Sequence, residues 1–224
     1  KIKEEGYSYS LFLSYLYEWL QDKKIADFKP QFPRGLPTTG SDNGFLLETS
    51  IDWIGERLPT VAQPFLGYFH FLPPHHPYRT SLEFFDRFKG DGLKPVEKPI
   101  DVLARRKASD NLLRKRTEYD EFILYADRAF GSLFKYLEIS GLLDNTWVIL
   151  TSDHGEMFER GISGHSTNTL YQPVIRIPLL IFEPGQKTRV DINTTTSAID
   201  LLPTLLHLTN QEIPDWIEGV ILPP

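Results

Sequence analysis

The sequence predicts an α/β sandwich of three layers, in which a mostly parallel sheet is covered by helices on both faces. Three observations carry this. Residues 64–72 (PFLGYFHFL), 147–151 (WVILT) and 177–182 (IPLLIF) are short and nearly unbroken apolar runs, the pattern of strands buried on both faces. Between and around them lie segments whose apolar residues recur at three- and four-residue spacing, as on one face of a helix. The two kinds of segment alternate along the chain, as strands and crossover helices of a parallel sheet do.

Taken in order, residues 10–22 place Leu13, Leu16, Tyr17 and Leu20 on one helical face. Residues 28–45 hold three prolines and three glycines among Ser, Thr and Asn and read as a loop. A second helix is expected over 46–58, with Leu47, Ile51, Ile54 and Leu58 turned inward. The strand 64–72 follows, then the string PPHHPY, a short helix at 81–88 and a charged loop at 89–99 containing Gly and Pro. Residues 117–140 are the longest periodic segment, with a stripe of Tyr119, Phe122, Ile123, Ala126, Phe130, Leu133 and Leu137. Gly141 is its natural stop, because glycine accepts the left-handed conformation that ends helices. After the strands at 147–151 and 177–182, a helix over 197–208 carries Ile199, Leu202, Leu205 and Leu206.

The 224 residues are 41% hydrophobic and 13% aromatic, enough to fill one sizeable core and too apolar for intrinsic disorder. Lys and Arg number 24 against 30 Asp and Glu, a net charge of −6. A protein that lives on nucleic-acid phosphates needs a basic excess, so nucleic acid is not the expected partner. There is no cysteine, which excludes disulfides, thiolate metal sites and thiol nucleophiles within these residues. No run reaches the ~18–20 apolar residues that span a bilayer, so no membrane segment is expected here. The chain starts at Lys1 without an initiator Met and stops at Pro224 after Leu222 and Pro223, which reads as a fragment.

Chemistry gathers where strands end. The string TSDHGE at 151–156 sets a carboxylate and an imidazole side by side after a strand. Hard divalent cations take carboxylate oxygen, and neutral imidazole can complete the shell. Asp153 and His154 can serve one ion only if the backbone turns sharply, which Gly155 permits; the alternative is an Asp-containing turn that caps a helix. The string HFLPPHHPY at 70–78 presents His75 or His76 on a turn stiffened by prolines, suited to protonating a leaving group or binding an anionic ester, or else a surface turn with incidental histidines. His70, within the run, reads as a core histidine, and His207, on the last helix, as ordinary surface or core. In GHSTNTLYQPVIRIPLLIF at 164–182, His165 stands in a polar loop ahead of a strand, and Arg176 reads as a structural ion-pairing residue, or else one that holds an anion. Gly-x-Ser-x-Gly, HExxH, GxxxxGK[ST] and GxGxxG are all missing, which removes the corresponding hydrolase, zinc-peptidase and nucleotide readings.

In this order the strings resemble the sulfatase branch of the alkaline phosphatase superfamily over residues 46–222. HFLPPHHPY is similar to the family's His-x-x-x-Pro-His-x-Pro-Tyr. Residues 119–156 look like its long helix, Gly turn, Asp-Asn-Thr and metal strand. Residues 164–185 resemble a third segment, and SAIDLLPTLLHLTNQEIPDWIEGVIL at 197–222 looks like its closing Asp-x-x-Pro-Thr-Leu helix and Pro-x-x-x-x-Gly segment.

The resemblance implies an alkaline phosphatase-like fold and a sulfuric ester hydrolase that takes a small anionic ester with one divalent cation (Ca, Mg or Mn). By matching position, Asp153 and His154 become the metal pair. His75 becomes the histidine near the leaving oxygen, and His165 stands where many members have a Lys contacting the ester. His76 is a further candidate for substrate binding. Two more acidic ligands and a nucleophile, formylglycine or Ser/Thr in Cys/Ser-x-Pro-x-Arg, are expected before Lys1, so that residues 1–224 form the distal part of one catalytic domain and should be inactive alone. His in the metal pair and His165 in place of Lys shift weight toward members that hydrolyse phosphonate monoesters and phosphodiesters; Pro73 replaces an Asp common in one subset. Transfer of a phosphoglycerol-type group and a noncatalytic α/β binding module stand as the other readings. The expectation for the fold is that Asp153 and His154 point into one cleft and that His75 and His165 share it.

Overall fold

The structure is a computed structural model that describes residues 29–39, 41–44, 46–102, 104, 111–165 and 168–223. The helix expected at 10–22 lies outside these residues. The expected loop at 28–45 carries a 3-10 turn at Lys29–Gln31 and a short antiparallel pair, β1 (Thr38–Thr39) with β2 (Ser41–Gly44). Helix α1 (Leu47–Arg57) follows and tightens into a 3-10 turn at Leu58–Thr60, where Pro59 suits a first-turn position. Its buried face is Leu47, Ile51 and Ile54, with Leu58 beyond, the four residues expected. Each such side chain removed from water contributes about 1.5–3 kcal/mol.

Helix α2 (Asn111–Ile139) is the main support of this part of the chain, and α1 packs against it. Its stripe is rotated from the expected one: Phe122, Leu133 and Leu137 are buried, but with Tyr125 and Ala129, while Ile123 is exposed. Tyr125 can sit inside because its hydroxyl donates to Glu48 on α1, and burial foremost pushes its pKa well up. Gly141 ends the helix at φ 72, followed by a 3-10 turn at Leu142–Asn145.

Strand β3 (Val148–Thr151) lies where WVILT predicts it. Beyond it are β4 (Phe158–Glu159), β5 (Ile162–Ser163), the single-turn α3 (Gln172–Ile175) and β6 (Leu179–Phe182). The sheet differs from expectation. β3 pairs with β6 antiparallel, Val148 opposite Phe182 and Thr151 opposite Leu179, and β4 pairs with β5 antiparallel. Every described pair is antiparallel, so the mostly parallel sheet is not found among the described residues. Helix α2 covers β6 through Phe130 and Phe134, whose rings lie 5.9 and 4.9 Å from that of Phe182.

Two more expectations are corrected. Residues 64–72 form no strand, and Leu66 and Tyr68 are exposed; a ladder needs a neighbour, and no described strand lies beside this run. Residues 81–88 form successive i→i+3 turns rather than a helix, such as Phe84 N–H to Ser81 C=O, and the positive φ of Asp86 (57°) interrupts any helical continuation.

By contact density the chain divides into residues 1–185 and 186–224. The second unit holds α4 (Leu201–Leu208), entered through a 3-10 turn at Ala198–Asp200. Ser197 and Asp200 form a reciprocal capping box, which satisfies two orphan N–H groups. Asp200 also accepts from Val220 N–H, and Thr204 Oγ1 accepts from Leu222 N–H, so the closing segment is held by polar groups. Of the apolar residues on this helix, Ile199 and Leu202 are exposed, and Pro203 and Thr204 are buried. His207 is exposed.

Candidate active site

β3 delivers the chain into the turn Ser152–Met157. Thr151 anchors the strand end by donating through Oγ1 to the Pro178 carbonyl at 2.9 Å. Gly155 then comes so close to the segment before β6 that its N–H donates to the Val174 carbonyl at 2.7 Å, and a Cβ there would stand 2.1 Å from the Pro173 oxygen. Only glycine fits. Gly155→Ala is therefore expected to cost about 1–3 kcal/mol through forced backbone movement, read as a lower urea midpoint. A change within about 0.5 kcal/mol, the range of neutral surface substitutions, would contradict this geometry.

This turn sets the two candidate ligands. Asp153 is exposed, and its Oδ1 accepts from the His154 backbone N–H at 3.0 Å. His154 Nδ1 lies 2.8 Å from the Gly155 carbonyl, which can only accept, so Nδ1 carries the proton and the Nε2 lone pair is left open. That Nε2 lies 3.7 Å from Asp153 Oδ1. A carboxylate oxygen and an imidazole nitrogen facing each other are two donors of the kind a divalent cation takes. Among the described residues no group of three or more His, Asp or Glu is placed to hold a metal ion, and Asp153 with His154 supplies two donors.

The hairpin β4–β5 turns at Arg160 and Gly161, both at positive φ, and brings the chain back to Gly164 and His165. The His165 ring stacks on His154 with centroids 3.8 Å apart and 25° between planes, and lies 5.2 Å from the ring of His75. His75 Nδ1 donates to the His76 carbonyl at 2.6 Å, leaving Nε2 as its open atom. Three imidazoles from three separate strings thus meet, with Asp153 beside them. The His76 ring lies edge-on to Tyr78, with centroids 5.3 Å apart. Its pKa is lowered by burial first, then by Lys115 and His75, with Glu156 opposing.

His70 and Arg176 depart from expectation. His70 is exposed, 3.5 Å from the Tyr68 hydroxyl, because the run that carries it is exposed. Arg176 is exposed and makes no ion pair with a described residue.

Sequence reasoning missed Glu156. Its carboxylate is buried, and His165 Nδ1 lies 3.3 and 3.4 Å from its two oxygens. Its charge also acts on the Tyr78 hydroxyl: burial first, and then Glu156, push the Tyr78 pKa far up. Tyr119 is pushed up to about 12 by burial, then by Glu156 and Asp120. The only signal was the acid itself, two residues past His154, and spacing cannot tell a buried acid from a turn acid.

Three imidazoles gathered beside a carboxylate at a strand end form a polar cluster on an alkaline phosphatase-like α/β fold. The comparisons with known proteins agree with this class. The sulfatase family model matches residues 1–211, and the chain belongs to the sulfatase family. It is 31% identical to the ulvan-active sulfatase of Formosa agariphila over 163 residues, 70% of this chain and 30% of that one. It is 35% identical to arylsulfatase K of Xenopus laevis over 205 residues, 80% of this chain and 38% of that one. The phosphonate monoester hydrolase of Silicibacter pomeroyi shares the fold at a TM-score of 0.66 and 22% identity, over 84% of this chain and 45% of that one. The chain thus spans about a third of the length of the curated relatives it matches.

Proposed function

We propose that residues 1–224 are the distal part of a single catalytic domain that hydrolyses a sulfate ester with the aid of one divalent cation, Ca, Mg or Mn. The observation that supports it most is the meeting of His75, His154 and His165 beside Asp153. Asp153 and His154 would hold the cation, which when bound neutralises charge on the nonbridging oxygens. His165 adds an imidazole against the anionic ester, and His76 is a weaker candidate for substrate contact. His75 offers Nε2 to the leaving oxygen and supplies the proton that the departing alkoxide needs. The chain has no cysteine and no Ser or Thr in a Pro-x-Arg context, so formylglycine or a Ser/Thr nucleophile comes from a segment before Lys1. On this reading the exposed run 64–72 joins a larger, mostly parallel sheet, with helices on both faces. Hydrolysis of a phosphonate monoester or phosphodiester is the second reading, favoured by imidazoles at both 154 and 165.

The test is turnover of an aryl sulfate and an aryl phosphonate monoester, with and without each cation, by this chain and by the protein translated with the coding sequence before Lys1. The longer protein should turn over with the cation present, and the 224-residue chain should stay at background. Loss of a nucleophile that acts as a unit with its partners costs on the order of 10⁶-fold. Metal-dependent multiple turnover by the 224-residue chain would overturn the placement of the nucleophile. Absence of turnover in the longer protein would leave the noncatalytic binding module, and preference for the phosphonate the second reading.

A further inference from the structure

Glu156 is a buried carboxylate that faces a histidine of another site string. His165 reaches it from the Gly-His loop, its Nδ1 3.3 and 3.4 Å from the two carboxylate oxygens. A carboxylate has only acceptor oxygens, so the nitrogen facing it must carry hydrogen. We propose that Glu156 is a positioning residue, which fixes His165 as the Nδ1–H tautomer and aims its Nε2 away from the carboxylate as the atom offered to the substrate. The proposal rests on the hydrolase reading only for what Nε2 then does.

The supporting geometry is local and over-determined. Gly155 locks the turn that carries Glu156, and Gly164 N–H donates to the Met157 carbonyl at 2.9 Å, which fixes the approach of His165. A Cβ at Gly164 would lie 3.7 Å from Glu156 Oε1, so the loop passes directly over the carboxylate. With the ring held on one edge by Glu156 and on one face by His154, its position has little freedom. Second partners of this kind select which imidazole nitrogen is available, and their loss commonly lowers activity about 10–100-fold.

The decisive experiment is a long-range ¹H–¹⁵N spectrum of the imidazoles of the 224-residue chain, at a pH where they are neutral. His165 should show a pyrrole-type Nδ1 and a pyridine-type Nε2 in the wild type, and E156A should shift it toward the Nε2–H form. A wild-type His165 in the Nε2–H form, or an unchanged pattern in E156A, would overturn the proposal; the wild-type spectrum decides even if E156A fails to fold. In the longer protein E156A should lower kcat about 10–100-fold, with little further loss when combined with H165A. Additive losses would mean that Glu156 acts independently of His165, and would also overturn it. Inactivity of the unsubstituted longer protein would count against the hydrolase reading alone, and the tautomer would still be decided by the spectrum.

Discussion

Arg34→Ala should destabilise the chain by about 3–5 kcal/mol, the loss expected when one partner of a buried ion pair is removed. Arg34 Nη1 lies 2.5 Å from Glu121 Oε2 on α2, and the Glu121 side chain is fully shielded from solvent. The same guanidinium approaches Asp86 at 3.5 Å and Glu118 at 3.6 Å, and lies over the Phe85 ring at 4.4 Å. One planar cation therefore joins the segment before α1, the turns at 81–88 and the middle of α2. Without it, Asp86 and Glu118 keep only Lys89 and Arg114, and Glu121, whose Oε1 already has no described partner, loses its cation and cannot reach water. Global stability is typically only about 5–15 kcal/mol, so the loss is a large share. Urea unfolding checks it, and the diagnostic companion is R34A/E121L, which removes both charges. The double variant should recover much of the loss, because apolar replacement of a whole buried pair is often neutral. R34A within about 1 kcal/mol of wild type would place Glu121 in a solvated site and contradict the burial.

What the sequence revealed follows from how local each signal is. The turn at Asp153–His154 is written in adjacent residues, with the glycine that makes it, and α1 shows a single apolar face. Helix α2 was harder, because apolar residues cover more than one of its faces. The stripes through Ile123 and Phe130 or through Tyr125 and Ala129 share Phe122, Leu133 and Leu137, so periodicity cannot choose between them. The choice is made by a long-range hydrogen bond, Tyr125 to Glu48, that no window of sequence contains. The run 64–72 reads as a strand because composition reports what a segment can bury, whereas a ladder also requires a partner. The antiparallel pairing of β3 with β6 is likewise set by the path of the chain between them. Glu156 escaped for the same reason as Tyr125: the histidine it faces, His165, comes back to it only through the β4–β5 hairpin.

His75→Ala, made in the longer protein, should lower kcat about 10²–10⁴-fold on an alkyl sulfate, the usual contribution of a positioned general acid. His75 would suit that task because its Nδ1–H is committed to the His76 carbonyl, so in the imidazolium form the proton free to be transferred is the one on Nε2. Its ring lies 5.2 Å from His165, close enough for both to surround one small ester. The size of the effect should depend on the leaving group. An alkoxide leaves as a strong base and needs the proton in the transition state, whereas a nitrophenolate is stable enough to leave without it. The loss on 4-nitrophenyl sulfate should therefore be far smaller than on the alkyl ester, with KM changed little for either. Comparing the two fold-losses separates acid catalysis from packing, since a merely structural histidine would depress both substrates equally. Equal losses, or full activity on the alkyl ester, would remove His75 from the role of proton donor.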